Sequence, residues 1–377
     1  MRKSEKVAII TDKHLDNCEQ DDTLRQHKTA FTRRRRLGAK KTLHIMLRQI
    51  FSSLQLSIDH YFEKIGEAPV SKQAFSKARK GLNPDYVRKF ADGVAEVFAE
   101  ADDLPTYLGM RLIAIDGTDI ALENSEELKE EFGCSGPNCD AATALASIAY
   151  GPLEHGIYDC QIAPYKTDER ELAKLHMERL NALGLGGSLL LFDRWYPSKE
   201  LLSYTLTQGF SFVMRVRKKW NLDVDRIKTQ GWVTLVHQGE SFRVRVLKVK
   251  LATDETETLL TNLNQKQLPI AQAGNLYWKR WGIETAYDLM KSKLQLENFS
   301  GKTVVSVKQD FYATVYLAGF AAACAADADE VIAARDAGKH LKYKRKSSQT
   351  RTIAKLRERF LQILLTRDPD IRKVLFD

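Results

Sequence analysis

Two short strand-like runs, Arg111 to Ile115 and Ser188 to Phe192, each stop on an aspartate, Asp116 and Asp193. Apolar runs of this length, with almost nothing polar to turn toward water, fit strands covered on both faces, which requires helices packed over a sheet. Ala144 to Tyr150 and His155 to Ala163 alternate like the arms of a hairpin. Asp168 to Leu183 has helical spacing, as does Pro197 to Gln208, and Phe210 to Val216 reads as another strand. Strand, strand, strand, helix, strand describes an α/β unit with a central mixed sheet. Ligands of such sheets meet the ends of strands, which is where both aspartates fall.

The flanking chain differs in character. Residues 24–105 carry helical periodicity, with Leu43, Met46, Leu47, Ile50, Phe51 and Leu54 at three- and four-residue steps, and Pro84 opens a helix through Val87, Phe90, Val94 and Phe98. From Trp220 to Leu263 the pattern is β-rich, which predicts a β subdomain inserted at about 218–265. A helix from about Val305 to Ala326 and an amphipathic one from Ile353 to Leu365 close the chain. A chain of 377 residues with 44% hydrophobic content suits two or three domains. The expected division is a helical domain at 1–105, an α/β domain at 106–325 and a basic helical segment at 326–377.

Charge is unevenly placed. Thr23 to Ile58 holds nine Lys or Arg and no acid, and Arg335 to Arg359 holds ten against Asp336 and Glu358, so the rest of a +9 chain is net acidic. Two basic blocks around an acidic centre read as two phosphate-tracking surfaces beside a metal-binding middle. Arg33, Arg34, Arg35, Arg36, Lys77, Arg79, Lys80, Lys344, Arg345 and Lys346 are the candidate DNA contacts. Five cysteines with no paired spacing favour a reducing cytosol, and neither a signal core nor a bilayer-length apolar run is evident, so a soluble cytoplasmic protein is expected.

Near the C-terminal third, Tyr277, Arg280, Glu284 and Lys291 are spaced by 3, 4 and 7. On a single helix they would share a sector of roughly 60°. Beside them runs an apolar strip, Leu276, Ile283, Tyr287, Met290 and Leu294, able to seat that helix on a core. Asp116, Asp193 and Glu284 together offer oxygen-only ligands, suited to Mg2+ or Mn2+ rather than zinc. Two such ions about 3.5–4 Å apart serve in-line phosphodiester substitution. Asp119 competes with Asp116 as first ligand, but is read as a turn or cap residue. Gly301-Lys302-Thr303 mimics the tail of a nucleotide-binding loop, yet Leu296 stands where that loop needs glycine, and no Gly-x-Ser-x-Gly elbow is present for acyl chemistry.

In order, Ile115-Asp116-Gly117-Thr118, Phe192-Asp193-Arg194-Trp195-Tyr196 and the Tyr277, Arg280, Glu284, Lys291 series resemble the insertion sequence 4 family of bacterial DDE transposases, whose Tyr-Arg-Glu-Lys spacing is matched in full. The resemblance covers roughly residues 70–325 and includes Tyr158-Asp159, Asp168-Glu169-Arg170, Phe212 to Val216 and Gly301-Lys302-Thr303. It implies a ribonuclease-H-like core interrupted by a β-rich insertion, with Asp116, Asp193 and Glu284 as a triad for two Mg2+ or Mn2+ ions. Tyr277, Arg280 and Lys291 would hold terminal phosphates of a transposon end. It further implies cut-and-paste transposition at inverted repeats, a hairpin intermediate, and a homodimer assembled on double-stranded DNA in a synaptic complex. Trp195 replaces a residue that is commonly small in the family and is a candidate for stacking on an unpaired base, as is Trp281. A stand-alone metal-dependent nuclease and a catalytically dead, transposase-derived DNA-binding protein are the rival readings.

Overall fold

A computed structural model describes residues 1–33, 35–48, 53–250 and 255–376. Arg34, Ile50 and Phe51, named above, lie outside the described residues. The helical region comprises α1 (Lys3–Asn17), α2 (Ala39–Leu47), α3 (Leu54–Lys64), α4 (Lys72–Arg79) and α5 (Pro84–Ala99). Local chemistry sets α5: the Asn83 side chain caps the amide of Asp85, and Pro84 fills the first turn, where no amide is needed. Its Val87, Phe90, Val94 and Phe98 are all buried.

The sheet follows, from β1 (Leu112–Ala121), through α6 (Glu126–Phe132), β2 (Cys134–Ser135), β3 (Ala141–Tyr150), β4 (Ile157–Pro164) and α7 (Glu169–Ala182), to β5 (Leu189–Phe192), α8 (Lys199–Thr207) and β6 (Ser211–Val216). Then come α9 (Leu222–Arg226), β7 (Gln230–His237), β8 (Glu240–Lys250) and β9 (Thr256–Thr261). Strand order is β2-β3-β1-β5-β6-β9-β8-β7, with β4 also on β3. β1, β5 and β6 run parallel, and the other pairings are antiparallel. The β-rich stretch is thus joined edge to edge with the central sheet through β6 and β9, and includes the short helix α9. All four residues of β5 have no exposed surface, as an interior parallel strand requires.

The chain ends in α10 (Ile270–Trp278), α11 (Trp281–Ser292), α12 (Val304–Asp336), α13 (Gln349–Leu365) and α14 (Pro369–Phe376). α12 extends ten residues past the expected end at Ala326. It is long and apolar enough to cross a membrane, but 78% of its most apolar window is buried within the protein, against α5, α1 and β4 among others. Arg372 pairs with Asp12 at 2.5 Å, and Lys3 with Asp103 at 2.7 Å and Glu330 at 2.6 Å, tying both ends of the chain to one body.

Burial and pairing already correct the reading of Arg79 and of two cysteines. Arg79, a candidate DNA contact, is 2% exposed. Its guanidinium donates to Gln309 Oε1 (2.9 Å), Asp310 Oδ1 (2.6 Å), the Ser306 carbonyl (3.2 Å) and Ser300 Oγ, so it fastens α4 to α12. Cys134 and Cys139, read as unpaired, form a disulfide across the turn that contains Gly136 and Pro137. The β2–β3 pairing brings the two residues together, a closure that spacing alone did not reveal.

Candidate active site

Asp116 does not sit at a strand's end, as expected, but in the middle of β1. The parallel pairing with β5 stops at Ala114, while the antiparallel pairing with β3 continues through Asp116 to Ala121. Beyond Ala114 one edge of β1 is therefore open, and Asp193, two residues past Leu191 on β5, falls level with Asp116 on that open side. Asp119 is likewise a strand residue, exposed and opposite Leu145, rather than a turn former.

The helix expected to carry the third acid is two helices. Arg280 keeps helical dihedrals (φ −54°, ψ −35°), but the amides of Lys279, Arg280, Gly282 and Ile283 bond three residues back instead of four. That tighter turn changes the phase between α10 and α11. The apolar strip is buried as expected, with Leu276, Ile283, Tyr287, Met290 and Leu294 each at most 5% exposed. Gly282 lets α11 approach the β3–β4 loop, since a side-chain carbon there would stand 3.0 Å from Pro152 Cβ.

Arg280 joins the acids. Its Nη1 donates to Asp116 Oδ2 at 2.9 Å and its Nη2 to Glu284 Oε1 at 2.5 Å, so carboxylates far apart in sequence meet on one guanidinium. The arginine side chain is 8% exposed, Asp116 17% and Glu284 40%, so the cluster opens to solvent on the glutamate's side. Burial pushes the Asp116 carboxyl up to about 7; Arg280 opposes that shift, and the charges of Asp193 and Glu169 reinforce it.

The backbone around Asp116 is held firmly. Its carbonyl accepts from Tyr287 Oη (2.8 Å) and Ser147 Oγ (3.2 Å), and Asp193 Oδ1 accepts from the Trp195 amide at 2.6 Å. Ser147 Oγ also meets His176 Nε2 at 2.9 Å, and His176 Nδ1 meets Asp159 at 2.6 Å. This chain has the connectivity of a nucleophile triad. Ser147 and His176 have no exposed surface and Asp159 is 3% exposed, so no substrate reaches it and it acts as a prop for β1.

Tyr277, Arg280 and Lys291, expected to face phosphate, are differently disposed. Tyr277 is 3% exposed. Lys291 Nζ donates to the Asp119 carbonyl at 2.6 Å and lies 3.5 Å from Glu297, pinning α11 to β1. Trp195 and Trp281 are exposed at the rim. Arg217 lies 4.2 Å from the Trp195 ring centre, and Trp281 packs beside Trp278 with centroids 5.7 Å apart. Arg33, Arg35, Arg36 and Lys77 line a separate groove beside α4, exposed as expected, and Lys80, Lys344, Arg345 and Lys346 are also exposed.

Sequence reasoning did not single out Glu169 or the supporting roles of Tyr287 and Ser147. Glu169 entered only within the Asp168-Glu169-Arg170 run of the resemblance, with no role of its own, since an acid after the helix cap Asp168 looks like any first-turn acid; Tyr287 entered only as part of an apolar strip.

The chemistry of the donors fits a hard divalent cation: all ligands are oxygens, and like charges press on Asp116. Among the described residues no group of three acids, histidines or cysteines is close enough to enclose an ion as they stand. Arg280 lies between Asp116 and Glu284 and acts as their countercation.

By fold and site, then, this is an α/β protein that gathers acids from two neighbouring parallel strands and a helix. It belongs to the Transposase DDE domain family, which it matches over residues 107–318. It is 24% identical over 282 residues to Transposase InsG for insertion sequence element IS4 of Escherichia coli (strain K12), a match covering 69% of this chain and 60% of the length of that relative. A cryo-EM structure of a piggyBac transposase synaptic complex with hairpin DNA aligns with a TM-score of 0.48 and 11% identity, over 98% of this chain and 81% of that one.

Proposed function

We propose that the protein is a DNA transposase of the cut-and-paste type, cleaving and rejoining phosphodiester links at the inverted-repeat ends of an insertion sequence. The observation that carries this reading is the meeting of Asp116 and Glu284 on Arg280, with Asp193 level on the next strand. The strand order β4-β3-β1-β5-β6, three antiparallel strands followed by two parallel ones, supports a ribonuclease-H-like core.

Asp116, Asp193 and Glu284 would hold two Mg2+ or Mn2+ ions. Bound there, such ions activate a water or a 3′-hydroxyl and stabilise the leaving oxygen. The chain's own residues do the rest. Tyr287 and Ser147 fix the height of Asp116, and the Trp195 amide orients Asp193. Arg280, released from its carboxylates, offers a two-pronged donor to a phosphate. Double-stranded DNA is the partner, held in the groove of Arg33, Arg35, Arg36 and Lys77 and by the exposed Lys344 to Lys346 segment, and two copies would bring two ends together.

Incubating the purified protein with a precut inverted-repeat end, a plasmid target and Mg2+ tests the reading. Covalent joint molecules are expected; cutting with no joining would indicate a nuclease, and binding with no cutting a dead relative. Arg280→Ala is expected to depress strand joining more than first nicking, because the three acids remain. Equal loss at each step would mark Arg280 as a prop only.

Trp195→Ala should weaken binding of ends carrying unpaired terminal bases by about 1–3 kcal/mol, while fully paired ends bind nearly as before. The warrant is an exposed indole beside Asp193, already faced by Arg217 and Arg194. Fluorescence anisotropy on the two duplexes checks it, and equal loss on both would discount stacking.

A further inference from the structure

Glu169 touches the chain just past both strand acids, at Gly117 on β1 and at Tyr196 after β5. Its Oε2 accepts from Tyr196 Oη at 2.6 Å, and Tyr196, 1% exposed, lies three residues after Asp193 and packs on Phe192. The same oxygen lies against the residue after Asp116: a side-chain carbon at Gly117 would stand 2.7 Å from Oε2. With Oε2 held by Tyr196, a side chain at Gly117 would have to push the carboxylate from its place. A phenol donating to a carboxylate is a strong, short hydrogen bond, and this one is partly buried, with Tyr196 wholly inside, so the phenol is costly to leave without its acceptor. Glu169 therefore spans from β1 to the segment after β5, at the point where the two strands part company.

We propose that Glu169 is a positioning residue, acting with Tyr196 and the bare backbone at Gly117 to set the spacing of Asp116 and Asp193 for divalent-ion binding. This rests on the metal-dependent reading above. Its contribution comes through the hydrogen bond: the acceptor holds Tyr196, Tyr196 holds the turn after Asp193, and the same carboxylate braces β1. Residues that orient ligands from behind typically change ion affinity by about 10–100-fold when removed.

The test uses the full chain and Mn2+ alone, following the rise in melting temperature as Mn2+ is added, with binding of a labelled inverted-repeat duplex in EDTA as a measure of intact fold. Tyr196→Phe and Glu169→Ala should each raise the Mn2+ concentration for half-maximal effect by about tenfold or more while leaving duplex binding unchanged. Glu169→Gln keeps a carbonyl acceptor for Tyr196 and should return to within about threefold of the parent. The double variant Glu169→Ala with Tyr196→Phe should respond no worse than either single, as residues acting through one bond do. A residue that merely supports the fold would lower the melting temperature without moving the Mn2+ midpoint. Should Glu169→Ala fail to fold, Tyr196→Phe and Glu169→Gln decide the matter. Parent-like Mn2+ midpoints in Tyr196→Phe, or no recovery in Glu169→Gln, would overturn the proposal while leaving the transposase reading standing. A parent protein with no response to Mn2+ would overturn the metal reading and this inference together.

Discussion

Glu284→Ala is expected to reduce Mg2+-dependent cleavage of an inverted-repeat end by roughly 10^3-fold or more, equivalent to several kcal/mol of barrier, while end binding stays nearly unchanged. The side chain is 40% exposed and lies in the first turn of α11, so its removal takes little from the core. The helix stays seated through Ile283, Tyr287 and Met290, all buried. Arg280 keeps its bond to Asp116 and so holds its place. What is lost is one of three acids whose oxygens suit a divalent cation. A gel assay with the variant and parent side by side reads the result, and parent-like cleavage would count decisively against the proposed reaction.

Arg79→Met is expected to cost about 3–5 kcal/mol of stability, the usual penalty for removing one partner of a buried ion pair. Asp310, its partner, is 17% exposed on the side-chain scale and would keep only the Ser300 amide and hydroxyl. The Gln309 side-chain carbonyl, buried with it, would lose its donor. Arg79 also ties the helical region to α12, so the loss should appear as a lower midpoint in urea for the whole chain. A DNA contact would behave in the opposite way, with weaker binding and unchanged stability. A loss below about 1 kcal/mol would remove the structural assignment.

Arg79 and Lys77 show how far the sequence could be read. Both belong to one basic helix and are two residues apart, and nothing local separates them. Lys77 is exposed on the groove and Arg79 is buried, because Ser306, Gln309 and Asp310 of α12, more than two hundred residues later, take up the Arg79 guanidinium. The cysteines make the same point. Cys134 and Cys139 carry no zinc-like spacing, and only the return of β3 alongside β2 brings them together.

The site divides in the same way. Asp116, Asp193 and Glu284 could be picked out as candidates from local patterns: apolar runs followed by an acid, and polar residues beside an apolar strip. Those patterns reflect short-range geometry, the period of a helix and the burial of a strand, which adjacent residues dictate by themselves. The break at Lys279 and Arg280, the mid-strand place of Asp116 and the joining of the β-rich stretch to the central sheet were decided by packing among distant segments. So was the enlistment of Glu169 beside Gly117. Whether a polar side chain is buried, and against what, depends on neighbours brought from elsewhere in the chain, and only the tertiary structure supplies them.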